Sequence, residues 1–127
     1  MTNTPLTETT TPYIRLRLVL APGLVFGPGK ADLLAGIENT GSISAASRAM
    51  GMSYRKAWQL METLNSHFVS PVVETSSGGA RQGGAQLTPF GRDLLKRYQQ
   101  LEARARADAA SELKYLSGQL KKETPTE

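Results

Sequence analysis

Between Tyr13 and Leu20 the chain alternates. Ile14, Leu16, Leu18 and Leu20 fall on one side, Arg15 and Arg17 on the other. A period of two is that of a half-buried strand, so "YIRLRLVL" is expected to be one. "APGLVFGPG" follows and reads as a loop, with Pro28 and Gly29 leading into a helix. From there the period lengthens. In "KADLLAGIENTG", Leu33, Leu34 and Ile37 make an apolar stripe at helical spacing and Gly41 offers a C-terminal stop. Ser42 restarts a helix with Ile43, Ala46 and Met50 on one face, and Gly51 ends it. Ser53 then caps a third helix whose buried face is Ala57, Leu60, Met61, Leu64 and Phe68.

"PVVETSSGGARQGGAQLT" changes the period again. Val72–Thr75 is a candidate strand and Ala85–Leu87 its return, joined through a glycine-rich tip into a long hairpin. Thr88 caps a last helix with Pro89 at its first position. That helix is expected to run to Leu120, roughly 32 residues and about 48 Å. Its apolar positions are Leu94, Tyr98, Leu101, Ala105, Ala109, Leu113, Leu116 and Leu120. The spacings are threes and fours with one extra four, so the stripe drifts around the helix. Residues 1–12, rich in Thr and Pro, read as a disordered lead-in, and 121–127 as a frayed tail. The expected organisation is a domain over 13–88 followed by a long helix over 89–120.

Strand, three helices, hairpin, long helix: the order is that of a winged helix-turn-helix, mainly α with a small β-hairpin wing, carrying a C-terminal dimerisation helix. The local requirements of a helix-turn-helix are met. Ala46 and Ala49 supply small residues where two helices cross, Gly51 supplies a turn residue free in φ, and Met52 is the apolar residue that buries the corner. The next helix then presents its N-terminal end to a major groove.

Charge sharpens this picture. The 127 residues carry a net charge of +4, which favours a polyanionic partner only weakly. The placement says more: Arg55 and Lys56 fall in a stretch with no acid between Glu38 and Glu62. Ser53, Tyr54, Arg55 and Lys56 open the third helix, with Gln59 one turn on, and such side chains reach phosphates and base edges. Cations at a helix N-terminus oppose the macrodipole, and a nearby phosphate reverses that penalty. Ser42 and Ser44 are either phosphate donors or simple caps. Arg81 and Gln82, among four glycines at the hairpin tip, are the candidate wing contacts. Arg15 and Arg17 read as solvent-facing sheet residues. Trp58 and the methionines at 50, 52 and 61 read as packing, and His67 as structural.

Several functions drop out. Without cysteine and with one histidine, there is no thiol chemistry, no Cys-based zinc site and no His-pair metal site. No nucleophile–base set is visible, and a pair such as Glu74 with Asp93 has no supporting neighbours. "GLVFGPGKA" has the wrong spacing for a phosphate-binding loop, and Ala31 stands where a Ser or Thr would hold magnesium. No enzyme activity, metal or cofactor is expected. No apolar run suits a membrane span and the N-terminus does not read as a signal peptide, so a cytoplasmic location is expected.

Gly41–Asn65, together with "GGARQGGAQLTPFG", resembles the N-terminal DNA-binding domain of ModE-type molybdate-responsive regulators. The residues that carry the likeness are "GSIS", "SYRKAW", Asn65 near the helix end, and a glycine-rich wing closed by "LT" and "G". The match extends less tightly over residues 13–101. The serine and methionine spacing around Ser42–Ser53 is shared more loosely with LysR-type regulators. The resemblance implies a dimeric, sequence-specific regulator of molybdenum-related genes, a repressor or dual regulator bound to double-stranded DNA. Its recognition helix would begin at Ser53, and Leu94, Tyr98, Leu101, Ala105, Leu113 and Leu116 would supply dimer contacts. The family's C-terminal oxyanion-binding domains have no counterpart in these residues, so direct molybdate binding is not expected of them. The alternative is a winged-helix protein–protein interaction module that docks its partner through the long last helix.

Overall fold

In the computed structural model, which describes residues 11–76 and 84–121, two small antiparallel hairpins flank a trio of helices, and a helical arm follows. The elements are β1 (Leu18–Ala21), β2 (Leu24–Phe26), α1 (Pro28–Thr40), α2 (Ile43–Ala49), α3 (Tyr54–His67), β3 (Val73–Ser76), β4 (Gly84–Leu87), α4 (Pro89–Asp108) and α5 (Ala110–Gly118). The wing tip with Arg81 and Gln82, most of the expected lead-in over 1–12 and most of the tail over 121–127 lie outside the described residues.

The three central helices start and stop where their cap chemistry says they should. Pro28 sits in the first turn of α1, where its missing N–H costs nothing. The Ser42 hydroxyl accepts from the Ala45 amide at 3.0 Å to open α2, and the Ser53 hydroxyl accepts from Lys56 at 3.0 Å to open α3. Between them Gly51 takes φ 69°, a left-handed turn that an L side chain resists. Leu33, Leu34 and Ile37 of α1, Ile43 and Ala46 of α2, and Ala57, Met61 and Leu64 of α3 interlock with Phe26, Val72 and Leu87 as one buried cluster. The close crossing lies between α1 and α2: a Cβ added at Gly36 would stand 3.0 Å from that of Ala46. Ala49, expected at such a crossing, is exposed, because the turn rotates it off the shared face.

The wing root is pinned from both sides. β3 and β4 pair from Val73↔Leu87 to Ser76↔Gly84. Asn65 near the end of α3 accepts from the Val72 and Val73 amides at 2.7 and 3.2 Å and donates to the Val73 carbonyl at 3.1 Å. Thr88 donates to the Pro71 carbonyl at 2.7 Å while accepting from Gly91 at 2.9 Å, capping α4 and tying it to β3 at once. Gly91 then packs against backbone: a Cβ there would overlap the Val72 carbonyl oxygen.

Three expectations are corrected. First, the strand expected over Tyr13–Leu20 forms only from Leu18, and the expected loop contains its partner β2. Gly23 at φ 82° after Pro22 makes the tight turn between them. Residues 14–17 dock instead on α4: Tyr98 donates its hydroxyl proton to the Leu16 carbonyl at 2.7 Å, and Arg106 donates to that of Ile14 at 3.1 Å. Leu20, expected inward, is exposed, since the register slips between Val19 and Ala21. Second, the single helix expected over 89–120 is interrupted at Ala109, whose φ/ψ of −91°/2° leaves the helical basin. Asp108 is disfavoured at the carbonyl end of α4 but suited to the approach of α5, as are Ser111 and Glu112. Third, Tyr98, expected at a dimer seam, is buried within its own fold, edge-on to Phe26 with ring centroids 5.1 Å apart. Leu94 is half-buried against the same core. The first half of α4 is thus core, and its apolar stripe is spent on the domain.

Candidate nucleic-acid interface

The turn that aims α3 is closed by backbone bonds: Gly51 N–H donates to Arg48 at 3.1 Å and Met52 N–H to Ser47 at 3.0 Å. Met50 and Met52 are half-buried beneath it. Since Ala57, Met61 and Leu64 fix the inward face of α3, helical geometry turns its first residues outward. Ser53, Tyr54, Arg55, Lys56 and Gln59 are all exposed. Tyr54 meets Trp58 edge-on at 6.3 Å, which holds the phenol beside the cations, and Trp58 is half-buried as expected of a packing residue.

The electrostatics of this surface are one-sided. The first turns of α2 and α3 contain no acid. Among the described residues, ion pairs engage Arg92, Arg97 and Arg106, and none engages Arg48, Arg55 or Lys56. Arg48 instead donates to the Ser44 hydroxyl at 3.1 Å. Ser42 and Ser53 both cap their helices, whereas the Ser44 hydroxyl makes no cap bond and accepts from Arg48. A hydroxyl that accepts a cap bond keeps its own proton, so both caps remain able to donate to an anion. Gly84 bridges Ser42, and the Ala85 amide donates to the Gly41 carbonyl at 3.0 Å, so the wing root stands beside the α1–α2 corner. His67, exposed, donates from Nδ1 to the Thr63 carbonyl at 2.8 Å and has a local structural role.

The fold brings two further cations to this side: Arg17, expected as a solvent-facing sheet residue, lies just before β1 rather than within a strand, and Lys30, given no role in the sequence, stands in the first turn of α1. Arg17 and Lys30 line one cleft of about 200 Å³ with Leu60 of α3, one turn beyond Lys56. They are thirteen positions apart in sequence (30 less 17), and no periodicity joins them.

Helix, turn, cationic helix and hairpin define a winged helix-turn-helix domain. Among solved structures, the chain is similar to the DNA-binding domain in the crystal structure of a CbnR–DNA complex: TM-score 0.52 and 20% identity, covering 66% of this chain and 92% of that one. The likeness establishes the fold.

Curated relatives are named as ModE transcriptional regulators, ModE molybdenum transport proteins and molybdenum-pterin-binding proteins. The chain is 44% identical over 81 residues to the molybdenum-pterin-binding protein MopB of Rhodobacter capsulatus, 64% of this chain and 30% of that protein. It is 35% identical over 88 residues to the molybdenum transport protein ModE of Azotobacter vinelandii, 69% and 33%. It is 36% identical over 85 residues to the DNA-binding transcriptional dual regulator ModE of Escherichia coli K12, 67% and 32%. The chain thus spans about a third of the length of the curated relatives it matches. No family model matches it. No helix among the described residues is long and apolar enough to cross a membrane.

Proposed function

We propose that the protein is a DNA-binding transcriptional regulator of molybdenum-related genes that places the N-terminal end of α3 in a major groove and acts as a homodimer. The observation that carries this reading is the exposed first turn of α3. Arg55 and Lys56 stand there beside Ser53 and Tyr54, with no ion-pair partner among the described residues and no acid on the turn. Ser53 and Ser42 serve as phosphate donors and Arg55 and Gln59 reach base edges, with Arg81 and Gln82, outside the described residues, proposed as further contacts. The names of the relatives support the molybdenum link and the regulatory role. A second copy is suited to the apolar residues left in solvent beyond the core: Leu101, Tyr115, Leu116 and Leu120. Ala105 and Leu113 on the same arm are half-buried.

The test is a gel-shift selection against genomic fragments, with light scattering to size the particle. A dimer that retains a two-fold-symmetric site, with half-sites about 34 Å or a multiple apart, is the expected result. A particle that retains no duplex over random competitor refutes the reading. A monomer whose exposed α5 residues capture a different protein would instead favour an interaction module.

A further inference from the structure

We infer that Arg17 and Lys30 form a second phosphate-binding patch that extends the DNA footprint past the recognition helix, at the end of α1 away from the wing. The inference rests on the DNA-binding reading above and adds to it residues that lie outside the helix-turn-helix.

Arg17 comes from the segment before β1 and Lys30 from the first turn of α1. The side chain of Arg17 lies across Gly27, where an added Cβ would stand 3.3 Å from its Cγ. Lys30 donates to the Val25 carbonyl at 2.7 Å. That bond uses one of three ammonium protons and anchors the head rather than neutralising it. Leu60 completes the cleft, and Lys56 sits one turn earlier on the same face of α3. The groups therefore converge from three chain segments. Among the described residues neither Arg17 nor Lys30 forms an ion pair.

The mutual influence of these charges agrees with the geometry. Burial first, then the charge of Arg17, then that of Lys56, hold Lys30 below the usual lysine range. Three cations that repel one another are a poor arrangement for an isolated domain and a good one against a polyanion, whose phosphates turn repulsion into attraction. The opposite end of α1 is occupied by the wing root, through the bond from Ala85 to Gly41. Thirteen helical residues separate the two ends by about 20 Å. Wing root and patch thus stand at opposite ends of α1, and a duplex lying along both is held at two separated backbone positions. Position, not sequence, is what such contacts fix.

The experiment uses the full chain and a fluorescein-labelled duplex carrying the site recovered by genomic selection. A random duplex of equal length and a set trimmed base pair by base pair from each end complete the probes. Arg17→Gln, Lys30→Gln and the double variant are compared with Lys30→Arg, all first shown to melt as the parent does. Each neutralisation is expected to reduce the slope of log K against log salt by about 0.9, and affinity by about five- to tenfold at 0.1 M salt, equally on specific and random DNA. Lys30→Arg should keep the parental slope. On the duplex trimmed on the patch side, parent and double variant should bind alike. An unaltered slope in the double variant, while Arg55→Ala loses specific binding, overturns the patch and leaves the DNA-binding reading standing. No binding of any duplex by the parent overturns both.

Discussion

Two cationic surfaces of this molecule treat charge in opposite ways. On α4 three of the five cations have acidic partners: Arg97 with Asp93 at 3.0 Å, Arg106 with Glu102 at 3.8 Å and Arg92 with Glu38 at 3.6 Å. On α2 and the first turn of α3, Arg48, Arg55 and Lys56 have none among the described residues. Arg97 and Arg106 meet partners one turn away on their own helix, an arrangement of solubility and modest helix support. The contrast separates a self-paired charged face from the proposed binding face where net charge alone does not.

That comparison is broken most severely by loosening the joint between the two regions. Gly91→Ala drives a methyl group into the Val72 carbonyl and should cost about 3 kcal/mol of stability, seen as a lowered urea midpoint. A variant as stable as the parent would mean that the α4–β3 contact yields easily. Next comes Arg55→Ala, expected to weaken selected-site binding by about 1–3 kcal/mol if the guanidinium reads a guanine. Equal losses on random duplex would make it a backbone contact. Tyr98→Phe removes the bond to the Leu16 carbonyl and should cost about 1 kcal/mol. Burial, then the charge and hydrogen bond of Glu102, raise the Tyr98 phenol to about 12. The fold favours the neutral phenol, so stability should fall as pH rises from about 10, where an unfolded tyrosine ionises, toward 12. Urea titrations across that window should show the decline in the parent and not in Tyr98→Phe. The smallest effect sharpens the contrast: Arg97→Ala on the paired surface should cost at most about 0.5 kcal/mol and leave the salt slope of DNA binding unmoved.

What the chain disclosed in advance follows the reach of its signals. α1, α2 and α3 were legible because each couples a 3.6-residue apolar stripe to a nearby cap, and Ser42, Gly51 and Ser53 act within three residues of the bonds they make. β2 was hidden because three residues between two Pro–Gly pairs are too short to show a period. The interruption at Ala109 carries no proline or glycine, and only the reversed preference of Asp108 betrays it. Tyr98 shows the sharper limit. A stripe says that a residue seeks cover, not whether its own fold or a second copy provides it. The Leu16 carbonyl that claims it lies 82 positions earlier. The pairing of Arg17 with Lys30 is hidden for the same reason. Of the surface residues singled out, those on α3 were readable because the inward face of one helix determines its outward one.

The amide of Asn65 has a last consequence. A two-stranded wing leaves each strand with a bare outer margin, an invitation for a stray segment to zip alongside. By occupying the N–H and C=O of Val73 with one side chain, Asn65 stoppers that margin at its base. The projection can reach outward without its root becoming a seed for sheet growth.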